Sequence, residues 1–253
     1  MRTIRIVLPL LSLLLSPGVA LEARAADAPV PPGARELVDD VVRAYGGRAA
    51  LERVTAYRCD GRVVALVHPR EGPTTRLFQR PDRLRVELRY PGHPELRIVD
   101  GARGWRGDGE DVESASGVML DAMVLQAARA GVPWTLMEHA DSVRVVEPRE
   151  DGGRTLVGLE LRLADGLTLR TYVDPVTHRV ERSESLLDRG GMQTTFETVY
   201  SDFRKVAGVV FAFREENYAS GTHTADTMFG KITLNPKLPA GAFGPPPPRR
   251  TDS

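Results

Sequence analysis

Apolar residues recur along the chain with two different periods. Between residues 35 and 45, Leu37, Val38, Val41, Val42 and Tyr45 fall at three- and four-residue spacing, which gathers them on one stripe of an α-helix. Pro31-Pro32-Gly33 precedes the segment and Gly46-Gly47 ends it, so both boundaries carry helix-breaking chemistry. A further helical turn or two is expected over residues 49–54. From Thr55 onward the period shortens to two. In residues 83–90, Leu84, Val86, Leu88 and Tyr90 alternate with Arg83, Arg85, Glu87 and Arg89, the pattern of a strand with one wet face. Residues 95–98, 157–163 and 209–216 repeat it, the last with Phe211 and Phe213 on one side.

Turn signals separate these runs. Asp165-Gly166 is the strongest hairpin signal, because a type I′ turn needs positive φ at both central residues. Pro91-Gly92, Asp100-Gly101, Asp174-Pro175 and Gly190-Gly191 mark other strand ends. Strands joined by such short turns are antiparallel neighbours. Roughly ten or eleven are expected, at the spacing of a sandwich or barrel.

Residues 116–130 interrupt the series with a helical segment, Ser116 in the N-cap position and Gly131-Val132-Pro133 as its stop. Val118, Met119, Leu120, Ala122, Met123, Val124 and Leu125 leave only Asp121, Gln126 and Arg129 as long polar positions. Such a helix is either buried all round or spends time against something apolar that the sequence does not supply. Trp134, Leu136 and Met137 continue the same surface. Ordinary core packing and an adaptable, methionine-rich binding surface both fit this composition.

The N-terminus changes the picture from a β-rich domain to an exported one. Arg2 and Arg5 precede an apolar run over residues 6–15, and Ala23-Arg24-Ala25 offers small residues where a signal peptidase reads them. Cleavage is expected after Ala25, making residues 1–25 a signal peptide. The run is too short to span a bilayer, which needs about 20 residues. Cys59 is the one cysteine and has no lipoprotein-type box before it, so no disulfide and no lipid anchor is expected; within its alternating strand it reads as a buried thiol. Residues 26–33 and the proline-rich 244–253 read as disordered tails around a single domain at 34–243. The precursor carries 34 basic and 34 acidic residues, and loss of the leader leaves a net charge of −2, a balance that argues against nucleic acid.

Catalytic chemistry is sparse. None of the five histidines pairs with another at the spacing of a helical zinc site, and there is no nucleophile elbow or phosphate loop. His223 and Asp226 are placed on opposite strand faces by their odd separation, and the neighbours Glu215 and Glu216 point apart. No catalytic residue, metal or cofactor is assigned, and the chain is not read as an enzyme.

Arg80-Pro81-Asp82-Arg83-Leu84 opens an alternating strand, Val99-Asp100-Gly101 and Trp105 follow, and then comes the apolar helix. Downstream lie Asp174-Pro175, Val180-Glu181, Ser201-Asp202-Phe203-Arg204, the run 208–213, Asn235-Pro236 and Leu238-Pro239. Over residues 37–243 this order resembles that of the LolA-like periplasmic lipoprotein carriers, the outer-membrane lipoprotein-sorting superfamily. The resemblance implies a mainly β fold with helices: a single strongly curved antiparallel sheet, an incomplete barrel, covered on its open side by helices over an apolar cavity. It also implies that Arg80 latches the lid by hydrogen-bonding into its backbone until a ligand displaces it.

On that reading Leu84, Val86, Leu88, Leu96, Ile98, Phe211 and Phe213 are the ligand-binding candidates of the sheet, and Met119, Met123 and Trp134 those of the lid. The expected function is a soluble periplasmic binding protein, carrier or chaperone for lipids or lipid-modified proteins, with acyl chains held between sheet and lid. A periplasmic sensor or regulatory domain that binds an envelope protein is the alternative. The expected partners are lipid or lipoprotein acyl chains, with transient contact to inner- or outer-membrane proteins, and the protein is expected to be a monomer. An outer-membrane β-barrel is opposed by the helices, the charged second face and the proline-rich C-terminus.

Overall fold

The computed structural model describes residues 33–163, 166–189 and 192–246. The expected leader, the hairpin tip at Asp165, the Gly190-Gly191 turn and the end of the proline-rich tail lie outside the described residues. Two helices open the fold, α1 (Ala34–Ala44) and α2 (Arg48–Glu52), and α1 buries the predicted stripe of Leu37, Val38, Val41 and Val42. Six strands follow: β1 (Ala56–Ala65), β2 (Arg70–Gln79), β3 (Arg83–Tyr90), β4 (His93–Asp100), β5 (Arg103–Gly107) and β6 (Val112–Ala115). Then come α3 (Gly117–Ala130), α4 (Trp134–Glu138) and a 3-10 turn at Ala140–Ser142. Seven more strands complete it: β7 (Val143–Asp151), β8 (Arg154–Arg162), β9 (Thr168–Val173), β10 (Val180–Arg189), β11 (Met192–Val206), β12 (Val209–Ala219) and β13 (Thr222–Leu234).

All thirteen strands form one antiparallel sheet in the order β6-β5-β4-β3-β2-β1-β13-β12-β11-β10-β9-β8-β7. Thirteen exceeds the ten or eleven expected because β5 and β6 are short and carry no alternating apolar pattern. Every consecutive pair of strands is adjacent except β6 and β7, which are the two ends of the order. The barrel is therefore not closed, and α3 and α4 are the connection between its two free edges.

The size of α3 requires the sheet to be strongly curved. At about 4.8 Å per strand, β5 and β9 would lie about 43 Å apart in a flat sheet. A helix of 14 residues is about 21 Å long, yet α3 touches β3, β4 and β5 on one flank and β9 and β10 on the other. Arg76 of β2 and Glu215 of β12 make the same point: three strand steps apart, they meet in a two-point ion pair of 2.7 and 2.6 Å.

The two faces divide as the alternation predicts over most of the sheet. Inside, the core gathers residues such as Leu84, Val86, Leu159, Leu161 and Phe229. Outside, β7–β11 carry a lattice of ion pairs in which Glu160 bridges Arg144 and Arg170, and Arg149 bridges Glu184 and Glu197. Glu160 is almost fully buried beneath its arginines; burial opposes its charge, but Arg170 and Arg144 win and hold its carboxyl below the usual range. A depressed folded pKa gives stability that is complete above the unfolded value, about 4.3, and is lost as pH falls through the folded one. Glu160→Gln is therefore expected to lower stability by about 1–3 kcal/mol at pH 7 and to flatten the acid limb, in urea unfolding compared at pH 7 and pH 3.

One face assignment from the sequence is corrected. A bulge between Asn217 and Tyr218 shifts the β12–β13 register, so that Tyr218 opposes His223 while Asn217 opposes Ala225. An extra residue in one strand reverses the parity after it. His223 Nε2 and Asp226 Oδ1 consequently lie 2.8 Å apart, where strict alternation puts them on opposite sides.

The first and last strands are joined by more than their ladder. Asn235 Oδ1 accepts from the backbone N–H of Thr55 (2.8 Å) and Ala56 (3.3 Å) and from Thr55 Oγ1 (3.2 Å), while Nδ2 donates to the Arg53 carbonyl at 2.8 Å. Its φ of 47° is the left-handed region that asparagine tolerates better than most residues. Asn235→Ala is expected to cost about 1–3 kcal/mol, read as a lowered urea midpoint with unchanged slope.

Candidate functional site

The inside of the curved sheet is filled at one end and hollow at the other. At the filled end Tyr57 stacks between Phe78 (5.3 Å) and Trp134 (5.9 Å), and Phe211 lies 5.4 Å from Tyr57 and 5.8 Å from Trp134. Trp134 Nε1 donates to the Leu51 carbonyl at 2.9 Å, and Tyr57 Oη donates to the Ala130 carbonyl at 2.7 Å. These bonds fix the junction of α3 and α4 to α2 and β1. Trp134 and Phe211 thus anchor α4 against the filled end of the sheet and lie outside the main cavity.

The hollow end encloses about 540 Å³, within the usual range for small-molecule sites. Its floor is β1–β4 with β12 and β13, including Val63, Val86, Leu88, Ala225 and Thr227. Its roof is α3, through Met119, Ala122, Met123, Gln126 and Arg129. Gly104 of β5 lets the helix sit close: a Cβ there would lie 2.7 Å from Leu120 Cδ1 and 3.4 Å from Met123 Cε. At the mouth, Val67 of the β1–β2 turn is 55% exposed and Met119 is 41% exposed. Those are large apolar side chains left in water beside an opening.

Among the sequence-derived candidates, Val86, Leu88, Met119 and Met123 meet around this cavity. Leu84 is buried deeper in the same core. Phe213 is buried there too, with the Arg204 guanidinium 4.6 Å above its ring. Leu96 and Ile98 are placed differently from expectation. The Pro91-Gly92 turn pairs Leu96 with Glu87 and Ile98 with Arg85, so the two share the outer face. There they pack with Leu77, Ala242 and Phe243, because the C-terminal segment returns to cover that face. Leu96 also borders the cavity; Ile98 does not.

Arg80 sits where β2 ends. Its guanidinium donates to the carbonyls of Leu51 (3.5 Å) and Val54 (3.2 Å), and its Nε lies 2.5 Å from Glu138 Oε1. The backbone acceptors thus belong to the α2 end, whose last carbonyls need donors. Its link to the roof is the α4 carboxylate, and it makes no bond to the α3 backbone among the described residues.

The inner polar groups were missed by the sequence reading. Arg70, Arg76, Arg97, Arg106 and Arg129 all line the cavity, with Glu95, and Glu197 borders it from the outer face. Burial opposes the Arg76 charge, but Glu215 beside it wins and raises the guanidinium above its ordinary range. Burial pushes Arg129 below its range; its one hydrogen bond among the described residues is to Ser185 Oγ at 2.6 Å. Cys59 is buried under Arg76, and burial pushes its thiol up to about 12, so it stays protonated at neutral pH.

A curled, unclosed meander roofed by the helices that join its free edges recurs in solved structures. A LolA superfamily protein from Nitrosomonas europaea aligns over 84% of this chain and 97% of its own, at a TM-score of 0.53 and 12% identity. The chain has the LolA-like fold. A putative outer membrane lipoprotein-sorting protein domain from Vibrio parahaemolyticus shares this LolA-like architecture over 83% of this chain and 95% of its own, at a TM-score of 0.50 and 11% identity. A DUF1329 family protein from Desulfovibrio piger aligns over 83% and 96%, at a TM-score of 0.53 and 12% identity. No family model and no curated protein matches the sequence.

Proposed function

We propose that this protein is an exported, soluble binding protein or carrier for lipids or lipid-modified proteins, working in the periplasm and not as an enzyme. The observation that carries the proposal is the cavity of about 540 Å³ between the concave sheet and α3, the element that joins the sheet's two free edges. An acyl chain there contacts Val86, Leu88, Met119 and Met123, and each buried CH₂ contributes about 0.8 kcal/mol. Entry is past Val67 and Met119 at the mouth. Arg80, bonded to both α2 and α4, acts as the latch whose contacts rearrange as the roof lifts. No described helix is long and apolar enough to cross a membrane.

Carriage requires tight binding without a covalent step, which an adaptable methionine roof over an aliphatic floor supplies. The outer-membrane lipoprotein-sorting description belongs to a protein 11% identical, and it suggests the cargo class without specifying it. Titration of the mature protein with a fluorescent fatty acid tests the reading. Saturable binding, competed by unlabelled fatty acid, is expected; no binding at micromolar concentrations would overturn it.

A further inference from the structure

The cavity wall carries charge that a store for plain acyl chains does not require. Arg76 pairs in register with Val86, Val86 with Arg97, and Arg97 with Arg106, so three guanidinium-bearing residues lie in one row across the inner face of β2–β5. Arg129 reaches the same cavity from α3. Two carboxylates are already committed: Glu215 holds Arg76, and Glu95 is shared by Arg70 (2.8 Å) and Arg97 (2.7 Å). Glu197, bordering the cavity from the outer face, is held by Arg149 and Arg182. Among the described residues, Arg106 and Arg129 form no ion pair, although Glu113 opposes Arg106 in the β5–β6 register.

That arrangement is unfavourable as it stands. Like charges directly opposite each other on paired strands repel, and Arg97 faces Arg106 in this way, a repulsion tempered by the exposure of Arg106 and by Glu95 beside Arg97. Arg129, half-buried on the roof with only a neutral hydroxyl as partner, is left with an uncompensated charge in a poorly solvated site. One anion among these groups relieves both costs, through charge-assisted hydrogen bonds of the kind guanidinium groups make to carboxylates and phosphates.

We propose that the cavity selects an amphiphile with an anionic head, a carboxylate or a phosphate ester, seated by Arg97, Arg106 and Arg129 with its chain along Val86, Leu88 and Met123. This rests on the lipid-binding reading and narrows it.

Calorimetric titration of the mature protein at low salt with dodecanoate, dodecyl phosphate, dodecanol and dodecyltrimethylammonium separates head from tail. At least one of the two anionic ligands is expected to bind about tenfold or more tightly than dodecanol, and the cation is expected to bind most weakly. The Arg97→Gln/Arg106→Gln double variant should bring the anion and the alcohol to within about threefold of each other, with the larger loss of affinity falling on the anion. Arg129→Gln should act in the same direction, and the double variant keeps the test decisive if Arg129→Gln does not fold. Equal affinity for all four ligands in the parent protein would overturn the head-group assignment and leave lipid binding standing. Binding of none of them would overturn both. Inorganic phosphate bound as tightly as dodecyl phosphate, or an anion preference that survives in the double variant, would also overturn the assignment.

Discussion

Trp134→Ala is expected to destabilise the protein by about 3–5 kcal/mol, the range for removing a fully buried aromatic side chain. Trp134 is 1% exposed, packs on Tyr57 and Phe211, and donates to the Leu51 carbonyl. Its loss removes the transfer energy, opens a void among rings that cannot collapse freely, and leaves that carbonyl to the longer Arg80 contact of 3.5 Å. The damage falls on the joint between roof and sheet, since α4 carries the chain from α3 to β7. Trp134→Phe keeps the ring stack and removes the N–H, so its expected cost is about 1 kcal/mol. Urea midpoints for the three proteins check both values. A Trp134→Ala loss below about 1 kcal/mol would mean that the aromatic plug does not anchor the roof.

Ala225→Trp is expected to abolish tight acyl-chain binding while leaving the fold intact. Ala225 lies on the cavity floor and pairs with Ala65 of β1 and Asn217 of β12, so a large ring there meets modest neighbours and open space. Tryptophan is also at home in a strand. Displacing even three methylenes of ligand costs about 2.4 kcal/mol, roughly a fiftyfold rise in Kd. Fluorescent fatty acid titration reads the binding and a thermal melt reads the fold. Unchanged binding in a folded variant would place the ligand elsewhere.

Much of this architecture is legible in the sequence because the curved sheet keeps one face dry. Leu84, Val86 and Leu88 alternate cleanly, which by itself points to a sandwich or barrel, while the unclosed sheet with a roof is what the resemblance to the LolA-like carriers implies. The inside of β4 was not legible from its own apolarity. Leu96 and Ile98 look like inward residues, but the C-terminal segment with Phe243 covers the outer face there and buries them from that side. The signal that could have corrected this is local. A tight turn at Pro91-Gly92 pairs Tyr90 with His93, which sets Leu88 against Glu95 and Val86 against Arg97. Directly paired residues share a face, so that register puts Arg97 inside.

The remaining misses have similar causes. The bulge beside Tyr218 reverses parity and brings His223 to Asp226, and periodicity cannot register one extra residue. The helix over residues 116–130 was legible as apolar all round, yet its two roles separate only in three dimensions. Leu125 and Ala127 are core, while Val118 and Met119 are exposed, Met119 at the mouth. Trp134 and Phe211, both expected at the ligand, form the plug at the closed end, because the ring cluster fills the space that the cavity vacates at the other.

Mass spectrometry of an organic extract tests the central claim most directly. The full chain is expressed in a Gram-negative host and the protein is purified without detergent, and the Ala225→Trp variant is prepared in parallel. The account predicts acyl lipid in near-stoichiometric amount from the parent protein and little from the variant. A lipid-free parent that also fails to bind added fatty acid would contradict it.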